Sequence, residues 1–252
     1  MLRRDAIVSQ LNSDRYVQGL ILGNCVDSTN LKLKELAVHG AAEGCTLIAD
    51  TQTGGRGRRG RTFHSPKGGL YLSTLLRPVG ETDPARITCC AAVAAARAIE
   101  SLCDAQVEIK WVNDLYLNGR KLAGILAEGV IAPDGTLSAV VLGIGINVGP
   151  TAFPEELRSI ATSLANEGFA LTREAVAAAF LNEWERVYTT SDTDVMDEYR
   201  RRNLVLGRQV TVMQGSVSYP ATARAITDEG HLLVSTPDGE RELSSGEVSL
   251  RL

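Results

Sequence analysis

An α+β fold, in which a mixed and largely antiparallel sheet is flanked by helices and followed by a small β-barrel, is predicted by three observations. The first is a helical repeat over residues 84–102, with Ile87, Ala91, Ala94, Ala98 and Leu102 on one face. The second is a succession of apolar segments between residues 107 and 148, broken by turn signals that suit hairpins. The third is a change of texture after Leu206. There, short alternating segments are separated by Gln214-Gly215, Asp228-Glu229-Gly230 and Pro237-Asp238-Gly239, which suits a barrel of about fifty residues. A boundary near Asn203 divides the chain into units of residues 1–203 and 204–252.

Residues 16–26 are apolar and rich in extended-chain formers, so they read as a strand. Asp27-Ser28-Thr29 then offers side-chain oxygens to cap a short helix that ends near His39-Gly40. Residues 45–49 form a buried strand, and 51–69 hold too much Gly, Arg and Pro for regular structure. A further strand is expected at 70–76, and the helix at 84–102 covers one face of the sheet. Segments 107–112, 115–117, 121–131 and 137–148 read as strands. Asn118-Gly119 supplies a two-residue hairpin turn and Pro133-Asp134-Gly135 another. Helices over 172–189 and 194–202 follow, the first with Phe180, Trp184 and Val187 on one face.

At 252 residues, 44% hydrophobic and 22% charged, the chain can bury a large core with a small appendage. A formal net charge of −4 argues against a general nucleic-acid binder, which would present a wide basic face. Cys25, Cys45, Cys89, Cys90 and Cys103 are odd in number and lack metal-ligand spacing, so reduced and mostly buried thiols and a cytoplasmic location are expected. No apolar run suits a signal peptide or a membrane span, so a soluble protein with no membrane partner is expected. His39, His64 and His231 show no ligand spacing and are assigned no chemistry.

Gly54-Gly55-Arg56-Gly57-Arg58-Arg59-Gly60-Arg61 combines free backbone rotation with guanidinium forks that match phosphate or carboxylate. Gly55-x-Gly57-x-x-Gly60 spells a dinucleotide-binding fingerprint, but that motif must open a helix. Pro66, Gly68 and Gly69 follow too closely for one. A solvated basic loop without a ligand is the plain alternative. Lys121, on a half-buried strand, needs an anionic partner, because an unpaired buried ammonium is costly. That partner is either Asp114 or Glu128, or a phosphate or carboxylate of a ligand. Asp114 itself reads either as a turn residue or as a contact for magnesium or ribose.

Asp27-Ser28-Thr29-Asn30, the loop Gln52-Thr53-Gly54-Gly55-Arg56-Gly57-Arg58-Arg59-Gly60, Lys110-Trp111-Val112-Asn113-Asp114, Arg120-Lys121-Leu122-Ala123-Gly124-Ile125-Leu126 and Gly143-Ile144-Gly145-Ile146-Asn147-Val148 occur in this order. Together they resemble the biotin protein ligases, over nearly the whole chain. The family usually has proline at Val112 and often tryptophan at Phe63. Its regulatory members carry a DNA-binding domain before the Asp-Ser-Thr-Asn motif, and only 26 residues precede Asp27, so no DNA partner is expected.

The resemblance implies a monofunctional biotin–[acetyl-CoA-carboxylase] ligase with an SH3-like C-terminal barrel. Such an enzyme joins biotin to ATP as biotinyl-5′-AMP, with magnesium, and passes biotin to a lysine of a biotin carboxyl carrier domain. It also implies Lys121, Arg56 and Arg58 as catalytic residues, with Ser28, Thr29, Asn30, Gln52 and Gly57 joining them around biotin. Arg58, Arg59, Arg61, Phe63, Trp111, Asn113, Asp114 and Asn147 would surround the nucleotide, and Asp114 would meet the metal. Lipoate ligation, or biotin sensing without catalysis, is the alternative. A homodimer through sheet edges is open to such a fold. Ordering eight loop residues costs roughly 8 to 16 kcal/mol, against about 1.5 to 3 returned by each charge-assisted hydrogen bond. The loop is therefore expected to be mobile until biotin or its adenylate closes it.

Overall fold

Helices α1 (Arg4–Val8) and α2 (Asp14–Gly19) precede strand β1 (Leu20–Val26), helix α3 (Thr29–Val38) and strands β2 (Thr46–Gln52) and β3 (Leu70–Leu76). Helix α4 (Pro84–Glu100) leads to β4 (Glu108–Lys110), β5 (Asp114–Leu117), β6 (Arg120–Ile131) and β7 (Leu137–Ile146), then to helices α5 (Arg173–Thr189) and α6 (Val195–Arg201). These are features of a computed structural model that describes residues 1–78, 83–189, 194–214 and 217–250.

The seven-stranded sheet runs β1-β2-β3-β7-β6-β5-β4. Only β1 and β2 are parallel and every other neighbour is antiparallel, including the short hairpins β5–β6 and β6–β7. The α4 helix begins on Pro84, and the Asp83 carboxylate accepts the Ala85 N–H at 2.7 Å. Its buried face holds Ala91, Ala92, Ala94, Ala95, Ala96 and Ala98, whose small side chains let the helix axis approach the sheet and α5. On the opposite face α3 packs through Leu33 and Ala37 against Leu47, Leu75 and Val141.

Two expectations fail at the amino-terminal end. Residues 16–19 are helical, with Tyr16 buried to 1% exposure, and the strand begins only at Leu20. A six-residue helix is too short to declare a 3.6-residue period. Ser28 does occupy the N-cap of α3 but makes no side-chain cap bond. The Thr29 N–H, one of the free donors of the first turn, donates to Gln52 Oε1 at 2.8 Å. The Asn118-Gly119 turn has φ of 50° and 75°, as a two-residue hairpin requires. Of the cysteines, Cys45 and Cys89 are buried, Cys90 and Cys103 partly so, and Cys25 is exposed.

Strands β8 (Gln209–Gln214), β9 (Val217–Ile226), β10 (Leu232–Thr236), β11 (Gly239–Leu243) and β12 (Glu247–Leu250) form a second, antiparallel sheet in the order β11-β10-β9-β8-β12. The Gln214-Gly215 turn falls in part outside the described residues. Val210, Val212, Ala223, Leu232, Val234 and Val248 point inward and join the same apolar cluster as α4 and α6. Trp111 Nε1 donates to the Gly230 carbonyl at 2.9 Å, and the Ile109 N–H donates to the Arg202 carbonyl at 2.9 Å. The Trp111 contact sets the β9–β10 turn of the second sheet against the β4 end of the first sheet, and the Ile109 contact docks the end of α6 there.

Candidate active site

A break in β6 register aims Lys121 at the site. Tyr116 pairs with Lys121 but Leu115 pairs with Ala123, so Leu122 is an extra residue. Strict alternation would put Lys121 on the face opposite Gly124, and the bulge brings both to one side. A Cβ built on Gly124 would stand 3.4 Å from Lys121 Nζ. The Lys121 backbone is held on its other edge too, donating to the Ile160 carbonyl at 2.8 Å and accepting from the Thr162 N–H at 2.9 Å. Its ammonium lies 2.7 Å from Asp114 Oδ1, so of the two carboxylates open to it from sequence the partner is Asp114. Glu128 is taken by Lys34 Nζ and Asn30 Nδ2, each at 2.8 Å, with Arg56 at 3.7 Å. Although burial opposes it, these contacts hold Glu128 below the usual carboxylate range.

One cavity brings Lys121 together with Ser28, Thr29, Asn30, Gln52, Arg56, Gly57, Arg58, Arg59, Arg61, Phe63, Trp111, Asn113 and Asp114. Every sequence-derived candidate lines it except Asn147. That residue is buried beside it, its Nδ2 donating to the Thr162 carbonyl at 2.9 Å and its carbonyl accepting the Leu164 N–H at 2.9 Å. Its amide therefore ties down the 160–164 segment that flanks Lys121 and does not face the cavity.

At one end the cavity is neutral. Gln52 Oε1 accepts from the Thr29 N–H and hydroxyl, and Gln52 Nε2 donates to Ser65 Oγ at 3.0 Å. Asn30 donates to the Leu126 carbonyl and Glu128 and accepts from Ser73 Oγ at 2.6 Å, so it braces the wall. A Cβ at Gly143 would fall 2.0 Å from Asn30 Oδ1, and one at Gly145 would fall 2.4 Å from Phe63 Cε1. Glycine at both positions admits the two side chains. Phe63 thus lies on the sheet, edge-on to Tyr71 with centroids 6.4 Å apart.

The other end is charged. The arginine loop is a narrow hairpin closed by an Arg56–Thr62 bridge and a Gly57 N–H to Arg61 carbonyl bond of 2.7 Å. Arg59 and Gly60 at its tip have φ of 55° and 73°. Arg58 donates to the Gly246 carbonyl at 3.3 Å, Arg59 to the Met213 carbonyl at 2.8 Å, and Arg61 pairs with Glu247 at 2.8 and 2.5 Å. Three of the loop's arginines therefore rest on the second sheet. Burial pushes the Arg58 pKa down, and the neighbouring Arg59 adds to it. Asn113 Nδ2 donates to the Ile125 carbonyl at 3.0 Å, which fixes Asp114 beside Lys121.

Lys110, Gly124, Gly143, Gly145 and Glu247 also line the cavity and were given no role from sequence. For the glycines a signal existed, since Gly143 and Gly145 are two apart and so share one face of β7. Glu247 comes from the far end of the chain and carried none. Among the described residues no group of three His, Cys, Asp or Glu side chains could hold a metal ion. No helix among them is long and apolar enough to cross a membrane.

Residues 22–147 match the model of the biotin/lipoate A/B protein ligase family, and residues 205–251 that of the biotin protein ligase C terminal domain. The chain is 36% identical over 249 residues to the bifunctional ligase/repressor BirA of Bacillus subtilis, covering 95% of this chain and 76% of the relative. It is 36% identical over 233 residues to the biotin–[acetyl-CoA-carboxylase] ligase of Mycobacterium tuberculosis, covering 88% and 85%. Among solved structures it resembles the biotin protein ligase from Aquifex aeolicus in complex with biotin and ATP. That match has 29% identity and a TM-score of 0.75 over 93% of this chain and 99% of the other.

Proposed function

The chain belongs to the biotin/lipoate A/B protein ligase family, and we propose that it is the ligase that activates biotin with ATP as biotinyl-5′-AMP and transfers it to a lysine of a biotin carboxyl carrier domain. The observation that carries this reading is the two-ended cavity, neutral and hydrogen-bonding around Ser28, Thr29 and Gln52, cationic around Arg56, Arg58 and Lys121. A ureido ring with an apolar tail suits the first end, and a carboxylate meeting a triphosphate suits the second.

In the first step a biotin carboxylate oxygen attacks the α-phosphorus, the α–β bridging bond breaks, and pyrophosphate leaves with the electron pair. Two anions must approach, so fixed positive charge is the main requirement and no side-chain nucleophile is needed. Lys121 is the charge for the attacking oxygen and the α-phosphate, held at the bulge with Asp114 at 2.7 Å. Arg56 and Arg58 close over the adenylate, and Phe63 and Trp111 offer faces to adenine. In the second step the acceptor amine attacks the biotinyl carbonyl, AMP departs, and the amine loses a proton.

Magnesium would enter as the companion of ATP, with Asp114 as the residue to meet it. Asp114 Oδ1 is buried with no aligned hydrogen-bond donor, touching Lys121 only as an ion pair. One such carboxylate fits an ion held chiefly by substrate phosphates, because magnesium uses one or two carboxylates there and keeps water. Held by Asp114 in that way, it would screen the triphosphate against the attacking carboxylate.

Mixing the protein with biotin and magnesium ATP should yield biotinyl-5′-AMP by mass spectrometry. Calorimetric titration should show binding of biotin and not of lipoate. Tight biotin binding without the adenylate would leave a sensor in place of a ligase, and preference for lipoate would overturn the substrate.

A further inference from the structure

Lys110 ends β4, in register with Asp114 on β5, and lines the same cavity as Lys121. Its ammonium stands 5.8 Å from the centroid of the Tyr116 ring. Among the described ion pairs within 4 Å none includes it, although two carboxylates are close. Asp114 is engaged by Lys121, and Glu247 by both terminal nitrogens of Arg61. Leaving aside Arg56, which faces Glu128, the charged end thus holds five cations, Arg58, Arg59, Arg61, Lys110 and Lys121, around two carboxylates that are already paired. Arg58 and Arg59, which donate to backbone carbonyls, and Lys110 are left as the positive excess. Burial pushes the Lys110 pKa down against the pull of Asp114 and Glu247, with Lys121 and Arg61 adding repulsion. A partly dehydrated ammonium with an aromatic face on one side and open cavity on the other is a site for an anion.

Which anion follows from the order of groups. From the neutral wall of Asn30 and Gly143 the cavity passes Gly124 and Lys121, then Asp114, then Lys110 and the Arg61–Glu247 pair. Lys110 lies one strand beyond Asp114 in the row Gly124–Asp114–Lys110, on the side away from Asn30 and Gly143. Resting on the adenylation reading, we infer that Lys110 binds the β- and γ-phosphates of ATP and takes up the charge of the departing pyrophosphate. When the α–β bridging bond breaks, the electron pair goes to the pyrophosphate oxygen. The Lys110 ammonium neutralises it in place and gives up no proton.

The second half-reaction contains no pyrophosphate, and this separates Lys110 from residues that act on biotin or on the adenylate. In Lys110→Met the KM for magnesium ATP should rise about 10- to 100-fold, the worth of one charge-assisted contact. Inhibition by inorganic pyrophosphate, and its reversal of biotinyl-5′-AMP to ATP, should weaken by the same factor. Biotin affinity without ATP should stay within about two-fold of the parent, as should transfer from synthetic biotinyl-5′-AMP to a biotin carboxyl carrier domain. Lys110→Arg should recover most of the ATP and pyrophosphate effect. If Lys110→Met does not bind biotin, Lys110→Gln is read in the same assays. An unchanged KM for ATP with unchanged pyrophosphate inhibition would overturn the inference, and so would an equal loss in transfer from the synthetic adenylate. A parent protein that makes no biotinyl-5′-AMP would instead defeat the reading of the activity.

Discussion

Replacing Lys121 by alanine should abolish adenylation and leave the fold almost untouched, because the residue's contributions to stability and to chemistry differ by several kcal/mol. Its side chain is 33% exposed and that of Asp114 22%. A pair with this much solvent contributes about 0.2 to 1 kcal/mol. The backbone contacts to Ile160 and Thr162 do not depend on the side chain and survive the change. A loss near 1 kcal/mol lowers the midpoint of unfolding by about 2 to 4 °C in a chain of this size. Chemistry is another matter. A preorganised donor aimed at developing charge is worth about 2.7 to 4 kcal/mol, or 10² to 10³ in rate. Pyrophosphate release with saturating biotin and magnesium ATP should therefore fall at least about 100-fold while the unfolding midpoint barely moves. Lys121→Arg should restore only part of it, since a planar fork cannot replace a point charge between two oxygens. Normal pyrophosphate release by Lys121→Ala would refute the role given to this lysine.

Three further outcomes are expected. Gly145→Ala places a Cβ 2.4 Å from Phe63 Cε1, so the ring must leave the sheet. A cost of about 1 to 3 kcal/mol in stability and a raised KM for ATP are expected, and unchanged values of both would remove Phe63 from the nucleotide face. His231 bridges Glu242 at 2.6 Å and Asp83 at 2.8 Å, and these carboxylates raise its pKa although burial opposes them. The folded value lies above the unfolded one of about 6.5, so the stabilisation is complete below that pH and is lost as pH rises through the folded value. Thermal unfolding should accordingly occur at a higher temperature at about pH 6 than at about pH 9, with the difference reduced in His231→Gln. A variant with the parent's pH profile would count against the clamp. Finally, Glu247→Gln frees Arg61, so tryptic cleavage in the 54–61 loop should quicken, and biotin with ATP should slow it. Equal cleavage rates in parent and variant, with and without ligand, would oppose a loop that closes.

Most elements were legible because their periods are long. The β3 strand begins and ends where alternation places it, and α4 follows its alanine repeat to within two residues of the expected end. The site was legible in its residue types, since Lys121, Asp114 and the loop arginines stand in unusual local settings. What could not be read is what depends on register and on distance along the chain. The bulge at Leu122 changes which face Lys121 occupies, and no residue type announces it. Asn147 stood among the nucleotide contacts by resemblance alone, but a strand end is also where a crossing segment must be tied down, as Thr162 is here. Short helices such as α2 stayed hidden because six residues span less than two turns.

The arginine loop shows best how a remote segment changes a local reading. Considered alone, its eight residues require roughly 8 to 16 kcal/mol of ordering, which four arginines on a ligand would barely offset. Geometry supplies other acceptors first, the carbonyls of Met213 and Gly246 and the carboxylate of Glu247, all on the second sheet. Two of the three are neutral, and the Arg61 side chain remains 66% exposed, so each contact is weak enough to yield to a phosphate. Part of the ordering is thus done by the protein before an anion arrives. The binding energy of the anion then goes into exchanging acceptors more than into freezing the chain. If the C-terminal sheet supports the loop in this way without touching the reacting atoms, Glu247→Gln should raise the KM for ATP while leaving biotin affinity unchanged.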